Sequence, residues 1–148
     1  MVLICLIVFV LYGCNRSSQT LNENSRIISL LTKIHQEWNK PVQPGYIRSL
    51  DEIEPSTIIK CVELLDEQTY LDATIGFCTY VPLSKHESQF KSAILKLTHS
   101  KDERIRGWTV QALGSKTFQP NEYKAALDRL SKDKSRFVRE SVKLSGAK

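Results

Sequence analysis

The chain has 148 residues, 41% hydrophobic and 25% charged, which excludes disorder over its whole length and gives room for one folded domain. Its 6 glycines and 5 prolines are few, which favours helices. The formal charge of +5 is uneven: residues 1–100 hold 9 basic and 10 acidic side chains, and residues 101–148 hold 12 and 6. No run of five like charges occurs, so the basic third reads as a solvated surface rather than a nucleic-acid site.

Eleven apolar residues, Val2 to Tyr12, open the chain and stop at Gly13-Cys14. A membrane span needs about 20, so this run is too short to cross and fits the hydrophobic region of a secretory signal. Leu11-Tyr12-Gly13-Cys14 resembles the lipobox of bacterial lipoproteins, with an aliphatic residue three before the cysteine and a small residue just before it. It departs from that pattern at Tyr12, where a small residue is usual, and in carrying no charge from Met1 to Gly13. The resemblance implies cleavage after Gly13, a diacylglyceryl group on the Cys14 thiol and acylation of the new amino terminus. It places the protein in the cell envelope, anchored to a membrane by lipid. Asn15 stands where Asp would be the inner-membrane retention signal, so the outer membrane is favoured if the host has one. The alternative is an uncleaved apolar N-terminus buried against the domain. Asn15 to Asn24, NRSSQTLNEN, has Leu21 as its only strongly apolar residue and reads as a flexible linker. The expected organisation is a signal over 1–13, a polar tether over 14–24 and a helical domain over 25–148.

Ser25 to Asn39 places Ile27, Ile28, Leu31, Ile34 and Trp38 on one helical face, as a capping helix would. PVQPG at 41–45 breaks it, and Tyr46 to Glu54 leads onward. Three segments then align: STIIKCVELLDE from Ser56, SQFKSAILKLTH from Ser88 and NEYKAALDRLSK from Asn121. Each carries apolar residues at i, i+3, i+4 and i+7, as in Ile58, Cys61, Val62 and Leu65. A second set interleaves: YLDATIGFC from Tyr70, IRGWTVQAL from Ile105 and VRESVKLSG from Val138, at offsets of 35 and 33. Ser84 to Glu87 and Ser100 to Glu103 fit capping boxes. Asn121 fits an N-cap after Pro120, and Gly114 a C′ position.

An acidic turn followed by aliphatic-Arg and then Ala-Leu-Gly, best carried by Ile105-Arg106 through Ala112-Leu113-Gly114, resembles the short HEAT-like repeats. The signatures of tetratricopeptide and ankyrin repeats are missing. The first unit has Leu71 where the others have Arg. The resemblance covers residues 56–148 and implies an all-α fold: a short alpha-solenoid of two to three HEAT-like helix pairs with an N-terminal capping helix. Arg106 and Arg139 are expected to tie repeat to repeat, with Asp102 and Asp133 as partners.

No reaction is legible. His35, His86 and His99 form no i, i+3 or i, i+4 pair. There is no nucleophile elbow and no Gly-rich phosphate loop. Neither catalytic residue nor metal nor cofactor is expected, and the protein reads as no enzyme. Cys61 and Cys78 match no Cys-x-x-Cys motif, leaving two readings: a disulfide, or two buried thiols. Solenoids present extended surfaces, so a protein or peptide partner is expected. Lys91, Lys96, Lys124 and Arg129 are its candidate contacts, and Trp108 joins them if exposed. Two other readings stand beside this one. One is an accessory or immunity-like inhibitor of a single envelope enzyme or toxin. The other is a cytoplasmic nucleic-acid-binding protein or DNA glycosylase, which export would exclude.

Overall fold

Eight α-helices and two 3-10 turns, with no strand, form the described part of this computed structural model, which covers residues 21–40, 44–65, 69–114 and 120–145. The expected signal at 1–13, Cys14 and the expected tether as far as residue 20 lie outside those residues. Helix α1 spans 21–36, so residues 21–24, expected to belong to a flexible tether, are helical. Its Ile27, Leu31 and Ile34 repeat at i, i+4 and i+7 and are fully buried. Trp38 falls past the helix end, in a turn, and is 51% exposed rather than part of the apolar face.

Prolines start several of the helices that follow, because the missing N–H is unsatisfied at a first turn anyway. Helix α2, Pro44–Asp51, occupies what the sequence suggests is a lead-in. It is followed by α3, Pro55–Leu64, and α4, Leu71–Tyr80. The 3-10 turns Val81–Leu83 and Glu87–Phe90 carry the chain into α5, Lys91–Leu97. Then come α6, Glu103–Leu113, α7, Pro120–Leu130, and α8, Arg136–Leu144. Among the described residues, no helix is long and apolar enough to cross a membrane.

Helices α3, α5 and α7 each pack against the helix that follows, and α6 lies between α4 and α8. The apolar spacing explains the pairing: Ile58, Cys61 and Val62 of α3, Ala93 and Ile94 of α5, and Ala126, Leu127 and Leu130 of α7 are all buried. Phe90 closes the centre, with its ring edge-on to Phe77 at 5.4 Å and to Tyr80 at 5.7 Å. Helix α1 crosses α4 at Gly76, where a side-chain carbon would collide with the Leu31 carbonyl. Glycine is required there by close approach of two backbones.

The caps correct the register. The N-caps of α4, α6 and α8 are Tyr70, Asp102 and Ser135, 32 and 33 residues apart. The first unit is therefore shifted by three from the alignment on Tyr70. Thr74, not Leu71, stands in register with Arg106, and Gly76, not Ala73, with Trp108. Neither capping box forms as expected. Ser84 Oγ accepts the His86 N–H ahead of a 3-10 turn. Ser100 Oγ accepts the Asp102 N–H, and Asp102 itself caps α6 by accepting the Arg104 N–H at 2.8 Å. Asn121 is already helical, and Gly114 is the C-cap of α6 rather than the residue beyond it.

One guanidinium joins the last two units. Arg106 Nε and Nη2 donate to the two Asp133 carboxylate oxygens at 2.7 and 2.8 Å. Its Nη1 donates to the Ser100 and Lys101 carbonyls at 2.9 and 3.0 Å. The ends of the pair are 8% and 12% exposed, so little water competes. Asp133 also accepts the Ser135 N–H ahead of α8. Arg139 repeats the carbonyl half, donating from Nη1 to Asp133 and Lys134. Asp102 does not take the matching role expected of it, because Arg104 occupies its carboxylate. The register counterpart of Asp133 one unit earlier is Ser100, and α4 carries Thr74 where α6 carries Arg106.

Arg106 holds the Asp133 carboxyl below the usual carboxylate range. A depressed acid contributes stability that is full above about pH 4 and is lost as pH falls through the lowered value. Arg106→Ala strands the Asp133 charge and two carbonyls. It is expected to cost about 3 kcal/mol at pH 7, and urea denaturation is expected to show the deficit shrinking below about pH 4.

Candidate functional site

Helix α8 carries two apolar stripes. Val138 and Val142, at i and i+4, are buried against the domain. Phe137, Ser141 and Leu144, at i, i+4 and i+7, form another, on which Phe137 is 45% and Leu144 85% exposed. Phe137 is covered in part by α6, and Leu144 stands open among the described residues. The stripe faces Gly107, Trp108 and Gln111 of α6 across a groove of about 340 Å³ that Trp38 closes from the side. Gly107 is the floor: a side-chain carbon there would strike the Phe137 ring, so the ring rests directly on backbone. Trp108 is half-buried and meets Trp38 edge-on at 5.0 Å. Its register mates, Gly76 and Ser141, are both small, so its bulk is particular to this unit.

His35 packs edge-on against Trp108, with ring centroids 5.7 Å apart. His35 Nε2 lies 3.7 Å from the Asp72 carboxylate, while Nδ1 is buried without a hydrogen-bond partner. None of the residues lining the groove ionises. Charged residues of both signs neighbour its lining in sequence. Arg104 is bound to Asp102 and Lys143 pairs with Glu140 at 3.1 Å. Arg136 and Lys40 are exposed, and neither pairs with an acid among the described residues.

The four expected lysine and arginine contacts lie elsewhere. Lys96 of α5 is 3.0 Å from Glu63 of α3. Arg129 of α7 donates to the Thr98 carbonyl at 3.2 Å and meets His99 Nε2 at 2.7 Å. Both side chains thus join one helix pair to the preceding one. Lys91 is half-buried and Lys124 exposed. Only Trp108 among the expected contacts lines the groove. Cys61 and Cys78 are buried free thiols, not bonded to each other. Burial raises the Cys61 thiol and pushes that of Cys78 up to about 12, so neither is a ready thiolate at neutral pH.

A larger, open cleft of about 670 Å³ lies between α2 and the first 3-10 turn, with Ile47, Arg48, Asp51, Leu83 and Lys85 among its walls. Beside it, Ser84 Oγ and Tyr80 Oη donate to Asp51 Oδ1 at 2.6 and 2.7 Å. Burial raises the Asp51 carboxyl, but hydrogen bonds from Ser84, Tyr80 and the Lys85 N–H outweigh it and hold it below its ordinary value. Burial, with Asp51 adjacent, raises Tyr80. Ser84, His86 and Asp51 do not form a nucleophile and base. His86 Nε2 faces the Asp51 carbonyl at 3.2 Å, and only its backbone N–H touches the Ser84 hydroxyl. The cluster fastens the end of α2 to the 84–87 loop. Among the described residues, no three His, Cys, Asp or Glu side chains converge on a point that could hold a metal.

The sequence pointed to Trp108 but not to the groove. The missed signal is the Phe137–Ser141–Leu144 spacing, which repeats at helical period on a helix whose core face is already filled by valines. Compared with protein-family models, with curated proteins and with solved structures, the chain matches none.

The two packed glycines are expected to respond differently to alanine. Gly76→Ala forces two backbones apart and is expected to cost about 3 kcal/mol. Gly107→Ala meets only a side chain, so Phe137 swings aside at a cost of about 1 kcal/mol. Thermal melts measure the first, and a changed Trp108 emission at near-normal stability marks the second.

Proposed function

We propose that this chain is a membrane-tethered, non-enzymatic binding module, which holds a protein or peptide partner in the groove between α6 and α8. The observation that carries the reading is convergence. Trp38, Phe137 and Leu144, three exposed large apolar side chains, meet the half-buried Trp108 at one concave site. Apolar surface of this kind rimmed by polar residues marks interaction sites, and Trp is enriched where binding energy concentrates. A lining without ionisable groups suits burial of a partner's side chain, and its two hydroxyls, Ser141 and Ser145, donate to carbonyls of their own helix.

The finer architecture belongs to the same reading. The chain is a short array of HEAT-like helix pairs with α1 as its cap. Caps 32 and 33 residues apart support it, as do two arginines that bond equivalent carbonyls. The tether rests on the lipobox resemblance at Leu11 to Cys14. Acyl chains at Cys14 keep the groove close to a membrane and raise the effective concentration of partners there.

Two measurements test this. Metabolic labelling with a tagged fatty acid is expected to mark the wild type and not Cys14→Ser, and equal labelling or none removes the anchor. A photo-crosslinking residue at position 144 is expected to capture one discrete partner in cells, whereas the same probe at exposed Lys124 captures none. Equal capture from both positions removes the groove as the binding face.

A further inference from the structure

We propose that Arg139 is an open carboxylate-binding site at the end of the helix stack, and that it takes an aspartate or glutamate side chain of a different protein. The chain carries its own template. Arg106 stands four residues after the N-cap Asp102, as Arg139 stands four after the N-cap Ser135. One nitrogen pins each guanidinium. Arg106 Nη1 donates to the Ser100 and Lys101 carbonyls at 2.9 and 3.0 Å, and Arg139 Nη1 to the Asp133 and Lys134 carbonyls at 2.6 and 2.9 Å. With Nη1 fixed, the planar group presents Nε and Nη2 as a second edge. In Arg106 that edge holds both oxygens of Asp133 at 2.7 and 2.8 Å. In Arg139 it meets no carboxylate among the described residues. The two acids of residues 131–145 are both engaged already, Asp133 by Arg106 and Glu140 by Lys143 at 3.1 Å.

This site goes beyond the groove between α6 and α8. Arg139 follows Phe137 by two residues, about 200° round the helix, so it stands on the side of α8 turned from the groove, where it is half-buried. A guanidinium already held in place loses little freedom on binding, and its two parallel donors select a planar carboxylate in the orientation that Asp133 takes on Arg106. A free small carboxylate needs walls around it, and neither the groove nor the cleft beside α2 includes Arg139. A carboxylate carried on a protein surface brings the rest of its contact with it. A second copy of this chain has no acid to offer at the matching place. The residues two ahead of the N-caps Tyr70, Asp102 and Ser135 are Gln68, Ser100 and Asp133, and Asp133 is held by Arg106.

The arginine Nε–H resonances of the full chain, followed by proton–nitrogen NMR at constant ionic strength, test the chemistry with sodium acetate as the probe. Arg139 is expected to shift saturably, at about tenfold lower acetate than the exposed Arg136 of the same helix. Arg106, whose second edge is occupied, is expected to stay still. Arg139 responding no more readily than Arg136 overturns the proposal, and so does inorganic phosphate saturating Arg139 at lower concentration than acetate. A photo-crosslinking residue at exposed Lys132, in the turn before α8, tests the source in cells. It is expected to capture one protein, through a segment holding an Asp or Glu whose change to Asn or Gln cuts capture about tenfold. Arg139→Lys keeps a cation for the two carbonyls and lacks the second edge, so it is expected to cut capture as much. No capture from position 132, capture that survives Arg139→Lys, or self-association in sedimentation that Arg139→Lys abolishes overturns the proposal. Where Arg139→Lys fails to fold, the wild-type titration decides alone.

Discussion

Arg106 reaches in two directions at once, and the relation between helix pairs depends on it. A guanidinium offers five donors in a fixed plane. Here one edge is spent on both oxygens of Asp133 and one nitrogen on two carbonyls ahead of its own helix. The carbonyls belong to the turn before α6, and the carboxylate belongs to the turn before α8. Because the geometry is bidentate, it fixes orientation as well as distance. The angle between the two pairs is thereby set at their loops, leaving the helix faces to pack what remains.

What remains is decided by small residues. Gly76 lets α1 sit down on α4, and Gly107 lets the Phe137 ring rest on the α6 backbone. The consequences are opposite. At Gly76 the space is filled by another helix and becomes core. At Gly107 it is filled by an aromatic ring that stays half in solvent, and Trp108 beside it is left with an open edge. One substitution type in two successive units therefore makes a seam in one place and a groove in the other. The groove's walls come from three parts of the chain: the turn after α1, the middle of α6 and the length of α8.

Much of the helical framework was legible, because 3.6-residue spacing is written directly into residues such as Ile58, Cys61 and Val62. The phase of α4 was not. Ala73 to Cys78 are all buried, so that helix is apolar nearly all round and its pattern does not say where the unit begins. The Tyr70-Leu71 pair imitates the start of the other two, and only the N-cap settles the register. Helix α2 was hidden by its short, Pro- and Gly-initiated sequence, with Leu50 alone fully buried. The capping boxes misled because Ser84 and Ser100 accept N–H groups two residues on, in the turn before the helix. Of the site, Trp108 was readable as an oddity. Its neighbours were not, since Trp38 and Phe137 are brought together by packing that no local pattern encodes.

Arg139 makes the two carbonyl bonds that Arg106 makes, and the rest of its fork has no carboxylate among the described residues to receive it. The join between units is thus a plug and a socket, and α8 carries a plug. A helix pair grafted behind it would need little more than an aspartate two residues ahead of its second-helix cap to seat in the orientation of its predecessors. Lengthening by whole helix pairs would then extend the α6–α8 face without redesigning any junction, so the geometry of one join is enough to set the length of the whole.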